Sequence, residues 1–312
     1  MNALVSFAQE MIMLYGFIFL GYIARKKGIL NRHADQVMTQ LVLYITLPAL
    51  ILASMDISFS VHILKEMLVL CGLSIYILFL ACLLAKWIRK KAKVEEDRKK
   101  VVEALIIFGN QGFIGYAVSY ALFGDQGIVY ATMFNIPYLV LIWTYGIFIF
   151  VQSKHSFSWS QIFLNPGLVS TLIGLIVFIF PFHWPLVILG GLESVGKMTV
   201  PLSMLLIGSI FVRVRTKDVF VYIKNRYVWL TTGMRLIIIP ICLLPFTLFS
   251  IPFALMAIAV LVSGMPAAPT VSMYAQKFGG DVPFASITVF LTTLASIITI
   301  PSLYILLSLI YV

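Results

Sequence analysis

Two apolar runs in this chain are each long enough to cross a bilayer as a helix, and each is interrupted near its middle. The first, Val101 to Phe123, contains Gly109-Asn110-Gln111-Gly112-Phe113-Ile114-Gly115, three glycines in seven residues with an asparagine and a glutamine between the first two. The second, Ile251 to Phe278, contains Gly264-Met265-Pro266-Ala267-Ala268-Pro269. Glycine is a poor helix former, and proline removes a backbone donor and disrupts the helical ladder. Inside hydrocarbon, broken backbone survives only where protein buries it or a polar cavity solvates it. Two interrupted spans at corresponding places in a membrane chain point to the binding site of a secondary transporter.

The remaining sequence fits that frame. Of 312 residues, 61% are hydrophobic and only 11% charged, about half the charged fraction of a soluble domain. That leaves no room for a sizeable soluble domain. The apolar runs are continuous rather than alternating, which excludes a β-barrel. The reading is an all-α polytopic membrane protein. Its spans are Leu4 to Ala24, Val37 to Met55, Ile63 to Trp87, Val101 to Phe123, Gly127 to Val151, Ile162 to Phe180, Leu186 to Val212, Val228 to Phe249, Ile251 to Phe278, and Phe284 to the C-terminus. The N-terminal run reads as a retained first span rather than a signal peptide. The net charge of +10 sits in short loops. It is concentrated after spans one, three, five and seven: Arg25 to Arg32, Lys86 to Lys100, Lys154, and Arg213 to Arg226. The positive-inside rule then sets both termini on the non-cytoplasmic face of a cell membrane. The Lys86 to Lys100 run also suits anionic lipid better than nucleic acid. Cys71, Cys82 and Cys242 lie in apolar runs without pairing or metal spacing, and the four histidines show no ligand pattern. No P-loop, nucleophile elbow or acid–base constellation is present, so the reading implies no cofactor, no metal and no enzyme.

The two halves, 1–156 and 157–312, repeat. Thr46-Leu47-Pro48 matches Thr199-Val200-Pro201, and Gly21 matches Gly174 at the same offset. Val118 to Asp125 resembles Val271 to Asp281 with small insertions. Each half holds an odd number of spans, so the halves run in opposite directions across the membrane. The expected architecture is ten transmembrane helices as a 5+5 inverted repeat, with two broken crossing helices near the midplane.

Each break leaves bare carbonyls on one half-helix and bare amides on the next. Helix N-termini favour anions, and Asn110 and Gln111 add amide donors without fixed charge. The candidate binding set is Gly109, Asn110, Gln111, Gly112 and Gly115 from the first break, with Pro266, Ala267, Ala268, Pro269 and Thr270 from the second. The expected ligand is a carboxylate. Arg235 lies about ten residues into span eight; it either faces the cavity or snorkels to the cytoplasmic end. Glu103 is a candidate proton-coupling group or a solvated residue at a helix start. Asn135 either faces the crossing or packs between helices. Pro48 and Pro201 are candidate hinges that shape the cavity wall, or plain kinks. Glu193 and Lys197, spaced i,i+4, read as an exposed pair.

At these residues the sequence resembles the auxin efflux carrier family, which includes bacterial malate and malonate carriers and plant PIN-type auxin carriers. The resemblance rests on Gly109 to Gly115, on Met265-Pro266-Ala267-Ala268 with Lys277-Phe278-Gly279-Gly280-Asp281, and on Leu47-Pro48-Ala49. It implies a fold like that of sodium–bile acid symporters. It also implies a scaffold of spans 1, 2, 6 and 7, a transport unit of spans 3 to 5 and 8 to 10, a homodimer through the scaffold, and elevator-type motion. The family's carboxylate-holding asparagine corresponds to Asn110. Many relatives carry a proline shortly after the second glycine of the first break; here Tyr116 and Ala117 stand there. The implied function is secondary transport of a small organic anion such as malate, malonate or an auxin-like acid. A non-transporting membrane sensor or scaffold on the same fold is the alternative.

Overall fold

Lipid offers no hydrogen bonds to the backbone, so an apolar chain must satisfy its own amides and carbonyls, and helices are the local way to do it. The computed structural model describes residues 2–56, 60–150, 166–180, 183–212 and 216–311, and among these the regular structure is helical. An isolated antiparallel bridge pairs Gly109 with Ala267. The junction of the two sequence halves and Lys154 lie outside the described residues.

Six stretches among the described residues are long and apolar enough to cross a bilayer: Arg32–Ser54, Val61–Lys91, Gln111–Phe150, Leu186–Phe211, Arg226–Phe249 and Val282–Ile310. An N-terminal helix, α1 (Asn2–Lys26), has 25 residues, an axial length of about 37 Å. Pro166–Ile179 is a shorter apolar helix. Ten spans, two of them broken, were expected, and the two interruptions are present. The first interrupted run divides into α2 (Glu96–Ile107) and, past a π-helical turn at Gln111–Gly115, α3 (Tyr116–Trp143). The second divides into α4 (Phe253–Ser263) and α5 (Pro269–Phe278). A helix of 12 residues such as α2 reaches about 18 Å, short of the ~30 Å hydrocarbon layer. Helix α3 breaks at Gly124, whose φ of 57° is left-handed. That turn separates the fourth sequence span from the fifth.

The chain forms two compact units, each drawing on both sequence halves. The first comprises Met1–Leu70, Gly112–Ile136 and Ser160–Arg213. Here α1 packs against α6 (Thr199–Phe211) with backbones nearly touching. A Cβ on Gly208 would lie 1.8 Å from the Ile18 carbonyl oxygen, and one on Gly21 2.1 Å from that of Leu205. Small residues at such crossings allow close van der Waals packing, the main source of helix association in lipid. Buried Asp35 secures the same region, accepting from Arg25 Nη1 at 3.2 Å and from the Ser209 hydroxyl. Asp56 pairs with His183 Nδ1 at 2.6 Å.

The second unit comprises Cys71–Gln111, Pro137–Trp159 and Val214–Val312. Its core is made by the interrupted segments themselves: residues 101–111 and 255–268 are buried without exception. Helix amphipathicity has no meaning for segments enclosed on every side, which is why they read as uniformly apolar. Around them, Arg98 pairs with Asp281 at 2.6 Å, and Asp281 caps α7 (Val282–Ile310) by accepting from the Phe284 amide. Tyr274 donates its hydroxyl to the Ile142 carbonyl, and Tyr311 to that of Ile251.

Two π-helical turns precede prolines. Val42–Thr46 leads into Leu47–Ser54, where Pro48 is the second residue. Met234–Ile238 leads into Ile239–Ile241, where Pro240 is the second. A proline ring crowds the carbonyl four residues back and supplies no donor to it. The turn widens to i→i−5 bonding, with Leu47 N bonding Val42 O and Ile239 N bonding Met234 O. Pro201 falls in the first turn of α6, where its missing donor is harmless.

Candidate functional site

The interruptions create the site because each helix must stop there. Helix α2 ends at Ile107, and Phe108 turns extended. Helix α4 ends at Ser263, Gly264 continues the turn with φ −85° and ψ 7°, and Ala268, the residue before Pro269, is extended. A residue preceding proline is biased to extended backbone, and proline is well tolerated at the first helical position, so Pro269 starts α5 cleanly. The two extended pieces then pair. Asn110 N donates to Pro266 O at 2.6 Å, and Ala268 N donates to Phe108 O at 3.0 Å. These bonds frame the bridge between Gly109 and Ala267, so two residues 158 positions apart, 267 − 109, face each other across buried backbone. Gln111 N donates to Gly109 O at 2.8 Å, Tyr138 donates its hydroxyl to the same oxygen at 2.7 Å, and Ala267 N donates to Thr292 Oγ1 at 3.2 Å. The amides of Asn110, Gln111, Ala267 and Ala268 are thus all engaged within the unit.

Arg235 occupies the centre of this crossing. The π-helical turn that carries it belongs to the helix beginning at Arg226, and its side chain is 1% exposed. Nε donates to Met265 O at 2.9 Å, and Nη1 donates to Ile107 O at 3.1 Å and, at 3.4 Å, to Ile106 O. Those of Ile106 and Ile107 lie in the last turn of α2 and that of Met265 lies in the unwound chain two residues past α4, where carbonyls lack helical partners and the helix dipole is negative. Nη2 has no hydrogen-bond partner among the described residues. It lies against Gly109, where a Cβ would come within 1.8 Å of it. Among the described residues no carboxylate lies within ion-pair distance of Arg235. A buried cation held only by carbonyl dipoles has its charge partly compensated, and an anion at Nη2 would complete the compensation.

The sequence candidates divide as follows. Gly109, Asn110, Gln111, Pro266, Ala267, Ala268, Pro269 and Arg235 share the second unit, and all but Gln111 and Pro269 take part directly in the bridge, its framing bonds or the guanidinium contact. Gln111 is buried, with its side-chain Oε1 unsatisfied. Thr270 is the second residue of α5 and half-buried. Gly112 and Gly115 lie in the first unit; the Gly115 carbonyl accepts from Ser119 Oγ at 2.8 Å. Asn135 is also in the first unit, buried beside Tyr116. Pro48 and Pro201 are in that unit too, each in a first helical turn. Glu103 is not solvated: it is 1% exposed, 2.6 Å from Arg89 Nη1, and accepts from the Tyr145 hydroxyl. Arg235 does not reach water by snorkelling; it turns inward to the crossing. Glu193 and Lys197 form the exposed pair, at 3.3 Å.

Tyr138 and Thr292 escaped the sequence reading. Hydroxyls in apolar helices usually satisfy themselves on a carbonyl one turn back, as Thr292 also does on Val289 at 2.9 Å. Composition therefore carries no sign that Thr292 also receives the Ala267 amide.

An apolar, multi-helix chain whose broken segments cross in a buried core around one fixed charge belongs to the multi-pass membrane transporters as a class. Sequence comparison gives the family. Residues 6–162 and 151–304 match the membrane transport protein family, and the chain belongs to it; this is the auxin efflux carrier family of the sequence reading. The chain is 25% identical over 201 residues to an uncharacterized transporter of Methanocaldococcus jannaschii, covering 61% of this chain and 64% of that protein. It is 25% identical over 301 residues to an uncharacterized transporter of Methanothermobacter thermautotrophicus, covering 91% of this chain and 93% of the relative.

Proposed function

We propose that the protein is a secondary carrier that binds a small organic carboxylate at the crossing and moves it by elevator-type alternating access. The observation that carries this reading is the unshared Nη2 of Arg235, fully buried against Gly109 beside Asn110. Unsatisfied buried donors are rare and costly, and a carboxylate is the ligand that would relieve this one. The Asn110 and Gln111 side chains and the Thr270 amide in the first turn of α5 complete the binding surface in this proposal. Charge in the site is limited to one cation, which suits a carrier whose ligand must also leave. Spans 1, 2, 6 and 7 fall in the first compact unit, together with Gly112–Ile136 from spans four and five, and the crossing falls in the second. In this reading the protein is a homodimer through those scaffold spans, sits in the cell membrane, and has both termini outside the cytoplasm.

The test is uptake of labelled malate, malonate and indole-3-acetate into proteoliposomes, with and without a membrane potential and a pH gradient, beside Asn110→Ala. Saturable uptake lost in the variant is the expected result. Uptake indifferent to Asn110→Ala would move the site elsewhere. Absence of flux for every carboxylate from folded protein would refute the carrier reading.

A further inference from the structure

In carriers built on broken helices, unwound carbonyls and the C-terminal ends of half-helices are the groups that coordinate a cotransported sodium ion. Two such ends meet in this structure, those of α2 and α4, and their oxygens converge on one cation. That cation is the Arg235 guanidinium, which takes the carbonyls of Ile106, Ile107 and Met265 together. The π-helical turn before Pro240 carries the residue, and the side chain is buried with no carboxylate in ion-pair distance among the described residues. The carbonyls most exposed to a negative helix end are therefore already satisfied by a charge the chain itself supplies.

We propose that Arg235 is a tethered cation standing in the carbonyl site that a coupling metal ion would otherwise fill, so that the crossing assembles and functions without sodium. A guanidinium cannot be deprotonated under ordinary conditions and cannot dissociate, so the positive charge is permanent through the cycle. This goes beyond the anion-carrier reading, because it concerns the coupling ion and needs no transported substrate for its test.

The experiment follows thermal unfolding of the purified full-length protein in detergent, in chloride salts of sodium, potassium and N-methyl-D-glucamine at equal ionic strength. The wild-type midpoint is expected to agree across the three salts to within about 1 °C, since no ion-binding term stabilises the fold. Arg235→Ala vacates the site. Its midpoint is expected to fall, and low guanidinium chloride should raise it saturably while tetramethylammonium chloride, too bulky and without donors, does not. Arg235→Lys keeps a charge and donors; it is expected to remain indifferent to sodium, and it serves where the alanine variant fails to fold. A saturable rise of the wild-type midpoint with sodium would overturn the proposal. So would an alanine variant that responds to guanidinium no more than to tetramethylammonium, or a lysine variant that becomes sodium-dependent. Sodium-responsive wild type would leave the carrier reading standing, and failure of carboxylate uptake would leave this result untouched.

Discussion

Gly109 and Arg235 should be strongly coupled, and a double-mutant cycle measures it. Gly109 is not among the glycines with positive φ, so alanine meets no backbone penalty there. Its cost is collision: the new Cβ would lie 1.8 Å from Arg235 Nη2, 2.5 Å from Cζ and 2.8 Å from Nε. A guanidinium at the end of a flexible stem normally gives way cheaply. This one is pinned by the carbonyls of Ile106, Ile107 and Met265 and has no water to move into. Displacing it forfeits bonds to a charged group worth about 1.5–3 kcal/mol each, against a ceiling of ~3–5 kcal/mol for stranding a buried charge entirely. Gly109→Ala should therefore cost about 3 kcal/mol in the wild-type background. With Arg235→Ala already present the obstacle is gone, and the same substitution should cost no more than ~0.5 kcal/mol, a coupling of about 2–3 kcal/mol. Denaturant unfolding of the four proteins in detergent reads all corners of the cycle. Equal cost of Gly109→Ala in both backgrounds would refute the packing of guanidinium on glycine.

Other substitutions probe other parts of the fold. Glu103→Gln removes the charge that Arg89 and the Tyr145 hydroxyl share, and should lower unfolding stability by about 2 kcal/mol; stability unchanged in a denaturant titration would make that cluster dispensable. Gly208→Ala drives a methyl into the Ile18 carbonyl and should cost at least ~2 kcal/mol, whereas Gly72→Ala, with open space around it, should be neutral or stabilising by ~0.5–1 kcal/mol. Thermal melts of the pair side by side check the difference. Asp281→Ala removes both the Arg98 ion pair and the cap on Phe284 N. It should cost about 1–2 kcal/mol, with the ionic part shrinking as salt is raised.

Both chain breaks were legible in the residues. Gly109 to Gly115 and Pro266 to Pro269 declare the breaks because glycine looseness and the missing proline donor act within a turn of the residue concerned. The turn at Gly124 fell where the fourth and fifth spans were divided, for the same local reason. The prolines at 48 and 201 were equally visible; Pro48 follows a π-helical turn within the Arg32–Ser54 stretch, and Pro201 sits in a first helical turn. Less was legible where the outcome depended on partners. Glu103 reads as a solvated residue at a helix start, yet Arg89 and Tyr145, from two other helices, enclose it. Six long apolar helices stand among the described residues where ten spans, two of them broken, were expected: the breaks leave α2 and α4 too short to span, Pro166–Ile179 is a shorter helix, and Gln111–Phe150 runs on as one stretch.

The sequence alone determined an all-helical, membrane-embedded chain with two interrupted segments and a place in a transporter family. Those properties follow from hydropathy and local backbone chemistry, which are carried by neighbouring residues. Only the tertiary structure decided what the interruptions meet. The bridge of Gly109 to Ala267, the hydroxyls of Tyr138 and Thr292 on that backbone, and the inward turn of Arg235 onto carbonyls 128 and 129 positions away all join distant parts of the chain. A buried charge can be read as snorkelling or as engaged until its partners are in place. Here the partners are backbone carbonyls, which every residue possesses and no sequence pattern marks.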